Sequence, residues 1–181
     1  MAISSRSNGC EFWHEGELEI DFPTCELFSP EQERDPVFAQ SPKVDVAAYD
    51  EDGSSVLLEV KDPSRTTADF DSRADFLVDM MTSTAWQEHN LFHKFDASIR
   101  WLHSKRPERE AYDFIALFCL SALIEDHGFS VASLGPLQTR MSQMILAALH
   151  PTEVSRTAIL TESNWQREYP NYSLTRVVTQ P

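Results

Sequence analysis

A chain of 181 residues with 41% hydrophobic side chains is long enough for one globular domain with a sizeable core. It has no apolar run of the ~18 residues that a membrane span needs, and its start, "MAISSRSNGCEFWHEGE", lacks the apolar centre of a secretion signal. A formal charge of -14 counts against a free-standing nucleic-acid binder, because phosphate recognition needs local positive charge.

The charge is uneven. Residues 1–60 carry 3 of the 15 basic and 14 of the 29 acidic side chains, so the acid excess is mostly N-terminal. Its simplest role is solubility, and its sharper reading is a basic protein partner. Cys10, Cys25 and Cys119 are odd in number and far apart. That argues against a disulfide framework or a cysteine-rich zinc site and leads us to expect a cytoplasmic protein.

In chain order, residues 1–10 are polar and expected to be loose. In "GELEIDF", Glu17, Glu19 and Asp21 alternate with Leu18, Ile20 and Phe22, which predicts a strand with one wet face. "SPEQERDPVFAQSP" is punctuated by Pro30, Pro36 and Pro42 and reads as a loop. "KVDVAAYDEDGSSVLLEVKD" reads as a β-hairpin. The segment from Thr66 to Arg106 has no Gly or Pro. Apolar residues recur there at steps of three and four, which predicts one long helix or two consecutive ones. "AYDFIALFCLSAL" is a short continuous apolar run, expected to be a buried central strand. "PLQTRMSQMILAALH" predicts a helix stopped by Pro151. "RTAILTE" and "YSLTRVVTQ" predict two strands joined by a polar turn. The expectation is a single mixed α/β domain over residues 1–181, with helices packed on a central sheet.

The hairpin register can be argued. With Glu51-Asp52-Gly53 as a three-residue loop, Gly53 takes the left-handed position. Asp50 then faces Ser54, Asp45 faces Glu59, and Lys43 faces Lys61. Val44, Val46 and Ala48 share one face with Val56, Leu58 and Val60, which predicts burial of that face under the helical segment. The other face gathers Asp45, Glu59 and Lys61. Facing carboxylates repel each other. They are tolerated in full solvent, or where a divalent cation bridges them. Oxygen donors of this kind suit Mg²⁺, which takes one or two carboxylates and keeps several waters. Such an ion polarises a phosphoryl oxygen and acidifies a bound water, and a neighbouring lysine can orient that water or stabilise developing charge.

Asp45 in "KVDVAA" and Glu59-Val60-Lys61 in "LLEVKD", with the turn between them, resemble the motif of the PD-(D/E)XK nuclease superfamily. The resemblance covers about residues 15–122. It implies a restriction-endonuclease-like fold: a helix, three antiparallel strands beginning here with "GELEIDF", a crossover helix and a further parallel strand. It implies Mg²⁺ (or Mn²⁺) held by Asp45, Glu59 and the backbone carbonyl of Val60, with Lys61 assisting hydrolysis of nucleic acid, DNA foremost. Two features depart from the pattern. Val44 stands where the motif has Pro, and the first helix with its additional metal-binding Glu is not evident. Glu11, Glu15, Glu17 and Glu19 remain open for that role. A homodimer would suit an enzyme that cuts two strands. The alternative is a catalytically degenerate nuclease-fold subunit that binds a basic protein partner.

Arg65 and Arg73 follow the motif closely enough to reach a scissile phosphate. Arg100, His103, Lys105, Arg106 and Arg109 form the one basic cluster, read equally as phosphate contacts or as a helix C-terminus complementing its dipole. His89, His93 and Asp96 share a helix face, for which solvation outweighs metal binding. Trp13, Trp86, Trp101 and Trp165 are expected in the core.

Overall fold

Parallel strands cannot be joined by a tight turn, so a parallel pair demands a long crossover. The helical segment after the hairpin supplies it. The computed structural model describes residues 2–5, 11–30, 41–50, 53–105, 111–148 and 154–177. Nine strands are described: β1 Ala2–Ser5, β2 Glu11–Glu15, β3 Leu18–Phe22, β4 Cys25–Phe28, β5 Val46–Asp50, β6 Ser55–Lys61, β7 Tyr112–Phe118, β8 Val154–Thr161 and β9 Leu174–Arg176. The helices are α1 Phe70–Thr82, α2 Thr84–Gln87, α3 His93–Lys105, α4 Ser121–His127, α5 Leu134–Ala148 and α6 Glu162–Glu168. The fold is mixed α/β.

The described strands form two sheets. The larger has the order β4-β5-β6-β7-β8, and the smaller β1-β2-β3-β9. β4, β5 and β6 are antiparallel, while β7 runs parallel to β6 and β8 parallel to β7. Helices cover one face of the large sheet. Ala47, Tyr49, Leu57, Phe114 and Phe118 pack there on Met80 of α1, on Phe95, Ile99 and Leu102 of α3, and on Met141 of α5. The small sheet and α6 cover the other face. Val46, Ala48, Val56, Leu58, Val60 and Leu117 pack there on Trp13, Ile20, Phe22 and Trp165. Burial on both faces explains why β5, β6 and β7 read as near-continuous apolar runs.

Several expectations change here. Ala2–Ser5 is not loose but pairs as β1 with β2, while residues 6–10 lie outside the described ones. β3, within "GELEIDF", alternates as expected but belongs to the small sheet, and the strand beside the hairpin is β4. The apolar hairpin face lies under the small sheet rather than under the helices, which cover the face of Asp45 and Glu59 instead. The last two strands are separated by α6 as well as by a turn. The helical segment breaks at Ser83, whose N–H bonds the Asp79 carbonyl at the end of α1 while its Oγ accepts from Trp86 N at the start of α2. β7 is central and buried, as its composition demands. Trp13, Trp101 and Trp165 are fully buried, with Trp86 packed against the core. Among the described residues no helix is long and apolar enough to cross a membrane.

Candidate functional site

The hairpin has the register its turn glycine predicts. Val46 pairs with Leu58, Ala47 with Leu57, Ala48 with Val56 and Tyr49 with Ser55. Asp50 N–H bonds the Ser54 carbonyl at 3.0 Å, Gly53 N–H bonds the Asp50 carbonyl at 3.1 Å, and Gly53 has a φ of 96°. The ladder ends at Val46, so Lys43 and Lys61 do not continue it. The chain bends at Asp45, and Val44 turns into the core under the helices.

That bend sets the Asp45 carboxylate against β6. Its Oδ2 accepts the backbone N–H of Val60 at 2.7 Å. Asp45 and Glu59 thus meet inside the fold, not on an open face: they are 4% and 0% exposed. Burial, and next the charge of Glu59, pushes the Asp45 carboxyl well above the usual carboxylate range. Burial likewise raises that of Glu59, against the pull of Lys61 and Lys94. Glu59 Oε1 lies 2.6 Å from Lys61 Nζ and 2.8 Å from Lys94 Nζ. Glu59 Oε2 is buried with no hydrogen-bond partner among the described residues.

α3 completes the corner. A wider turn, Glu88–Phe92, in which His93 N–H bonds the Glu88 carbonyl, precedes it and shifts the phase of everything after it. Lys94, Phe95, Ser98, Ile99 and Leu102 then face inward. Ser98 Oγ, one turn beyond Lys94, accepts the N–H of Val44 at 2.9 Å. The same helix thus holds the residue before Asp45 and the carboxylate of Glu59. Neither Lys94 nor Ser98 was singled out from the sequence. The available signal was a lysine in an apolar stripe, Leu91-Lys94-Phe95-Ile99-Leu102, where a charge needs a buried partner.

Lys61 also faces a cavity of about 310 Å³ whose wall includes Trp13, Glu15, Glu17, Asp62, Arg65 and Phe76. Glu17 is held there. It accepts from Thr66 N at 2.9 Å and from the Thr66 hydroxyl, and it pairs with Arg176. The Thr66 hydroxyl above all lowers its pKa. Arg176 also takes Asp62 through both guanidinium nitrogens, at 2.9 and 3.0 Å, and Glu162 at 3.1 Å. Of the candidate upstream glutamates, Glu15 and Glu17 reach this cavity, while Glu11 accepts the N–H of Leu27 at 2.8 Å. No group of three or more His, Cys, Asp or Glu side chains placed to hold a metal occurs among the described residues.

The basic candidates divide. Arg65 is exposed on the wall of the Lys61 cavity. Arg73 pairs with Asp126 at 2.6 Å and donates to the Pro63 carbonyl at 3.2 Å, and it is not on the wall of this cavity. Arg100 pairs with Asp96 and lines a different cavity of about 470 Å³ with His89 and His93. Lys105 is exposed at the end of α3, and Arg106 and Arg109 lie outside the described residues. Compared with known proteins, the chain matches no family model, no curated protein and no solved structure.

Proposed function

We propose that the chain is a metal-dependent nuclease of the PD-(D/E)XK type, restriction-endonuclease-like in its core, that hydrolyses phosphodiester bonds of nucleic acid, with DNA the expected substrate. The observation that carries this reading is the convergence of Asp45, Glu59 and Lys61 at one corner, with Lys61 facing a cavity. The strand order supports it: three antiparallel strands, a helical crossover, then a parallel strand, with β4 in the position expected of "GELEIDF".

The donor chemistry fits a small hard cation. Glu59 Oε2 is a buried acceptor without a hydrogen bond among the described residues, and Asp45 adds a second carboxylate, which together match the one or two that Mg²⁺ takes. Asp45, Glu59 and the Val60 carbonyl would hold Mg²⁺ or Mn²⁺, which supplies Lewis acidity and an acidified water when bound. The chain's own residues do the rest. The Val60 N–H fixes the Asp45 carboxylate in one orientation. Burial of the corner strengthens every charge interaction in it. Lys61 lines the cavity and pairs with Glu59 at 2.6 Å, from where its charge can stabilise negative charge growing on phosphoryl oxygens. Arg65 on the same wall supplies a phosphate contact.

The test incubates the intact chain with DNA and RNA, single- and double-stranded, in Mg²⁺ or Mn²⁺, beside Glu59→Gln and Lys61→Ala. Metal-dependent cleavage lost in both variants is expected. Cleavage that persists equally in both would remove the assignment.

A second reading is favoured by one observation. Two lysines already neutralise Glu59, and the cavity wall carries Glu15, Glu17 and Asp62. An inactive nuclease-fold subunit binding a basic protein would look the same. It predicts no Mg²⁺ or Mn²⁺ binding heat and no cleavage.

A further inference from the structure

Lys94 poses a problem that the nuclease reading does not absorb. Its ammonium lies in the fold at 2.8 Å from Glu59 Oε1, with its side chain 11% exposed, yet it is not on the wall of the cavity that Lys61 faces. Burying a lysine costs several kcal/mol unless a counter-charge offsets it. Its position therefore serves the carboxylates and not the cavity.

Two facts define that position. Lys94 and Lys61 share one oxygen of Glu59, while the other oxygen has no hydrogen-bond partner among the described residues. The charge of Lys94 also acts on Asp45, more strongly than that of Lys61. The ammonium is thus held on Glu59 at 2.8 Å, and its charge favours the ionised form of Asp45 as well. With both carboxyls ionised, the two ammoniums of Lys61 and Lys94 balance them. A divalent ion added to the full set would bring excess positive charge into a buried space, whereas the same ion replacing an ammonium brings less.

We propose that Lys94 is a built-in counter-cation, which holds Glu59 when no metal is bound and is displaced from Oε1 when a divalent ion enters. The proposal rests on the metal reading of Asp45 and Glu59 and adds a property to it: metal and Lys94 compete. Lys94 keeps the empty site folded and sets the metal affinity below that of the bare carboxylate pair. Lys61 stays with the cavity and its substrate.

Mn²⁺ binding by calorimetry on the intact chain, read without any cleavage, tests this in wild type, Lys94→Met, Lys94→Arg and Asp45→Asn. The neutral variant is expected to bind Mn²⁺ at least tenfold more tightly than wild type and to gain more melting temperature on Mn²⁺ addition. Lys94→Arg, whose forked guanidinium grips a carboxylate harder, is expected to bind more weakly than wild type. It remains a test if Lys94→Met fails to fold. Asp45→Asn loses binding. If wild type binds Mn²⁺ and Lys94→Met binds equally or less well, or Lys94→Arg binds as well as wild type, displacement is wrong and the metal reading survives. If neither wild type nor Lys94→Met binds, the metal reading falls and displacement with it.

Discussion

Val44 gives its backbone N–H to the Ser98 hydroxyl at 2.9 Å, and both residues are fully buried. The bond replaces a ladder bond that β5 loses where it bends at Asp45. Ser98→Ala would leave that N–H without a partner in the core, at a cost of about 1–3 kcal/mol. Denaturant unfolding should show that loss, and Asp45 should lose part of its fixed orientation. A variant as stable as wild type would mean that the bend is held by packing alone.

The Asp45 carboxyl titrates above its unfolded range, with burial as the first cause. Between the unfolded pKa, about 3.9, and its raised folded pKa, the folded protein binds more protons than the unfolded chain. Stability from this group therefore falls as pH rises through that window. Glu17 and Glu168 act the other way, since their pKa values are lowered and their contribution is lost as pH falls. The difference between wild type and Asp45→Asn isolates the Asp45 effect. In thermal melts without divalent metal, Asp45→Asn should gain on wild type as pH rises toward neutrality, because the amide still accepts from Val60 and has no charge to bury. A constant difference across pH would contradict this.

What the sequence made legible was local. Gly53 sets the loop, the loop sets the register from Tyr49–Ser55 to Val46–Leu58, and Asp45 follows at the bend beyond it, against Val60. Period-two and period-3.6 patterns found β3, the helical segment after the hairpin and α5, while β1, β2, β4, α4 and α6 are too short or irregular for a period to mark. What stayed hidden depends on which layer covers which face. Val46, Val56 and Leu58 on one side and Ala47, Tyr49 and Leu57 on the other are both apolar enough to be buried. Alternation therefore could not assign the helices to the side of Glu59. Lys94 stayed hidden for the same reason, since its partner lies 35 residues away across that unassigned interface.

The turn itself gives a third prediction. Gly53 holds a φ of 96°, where a Cβ is strained. Gly53→Ala should cost about 1 kcal/mol, and Gly53→Val more, with no change at Asp45 or Glu59. Chemical denaturation of the three proteins orders them. Equal stability of all three would show that the loop relaxes to another turn.

Arg176 ties β9 to the strand that ends in Lys61. It grips Asp62 with two nitrogens and reaches Glu17 and Glu162 as well, so three carboxylates, one just after β6, one in the β2–β3 turn and one in α6, share its charge. A half-buried network of this kind lies between an exposed pair and a buried one, so Arg176→Met should cost about 1–3 kcal/mol. That is a fall of roughly 2–4 °C in melting temperature for each kcal/mol in a chain of this size. Lysine restores the charge but not the two-pronged contact with Asp62, and should recover less than half of the loss. Melting of Arg176→Lys at the wild-type temperature would show that charge alone suffices there. Since Asp62 adjoins Lys61, the methionine variant should also loosen the Lys61–Glu59 pair, visible as a shift of the Lys61 ammonium resonance toward that of an exposed lysine.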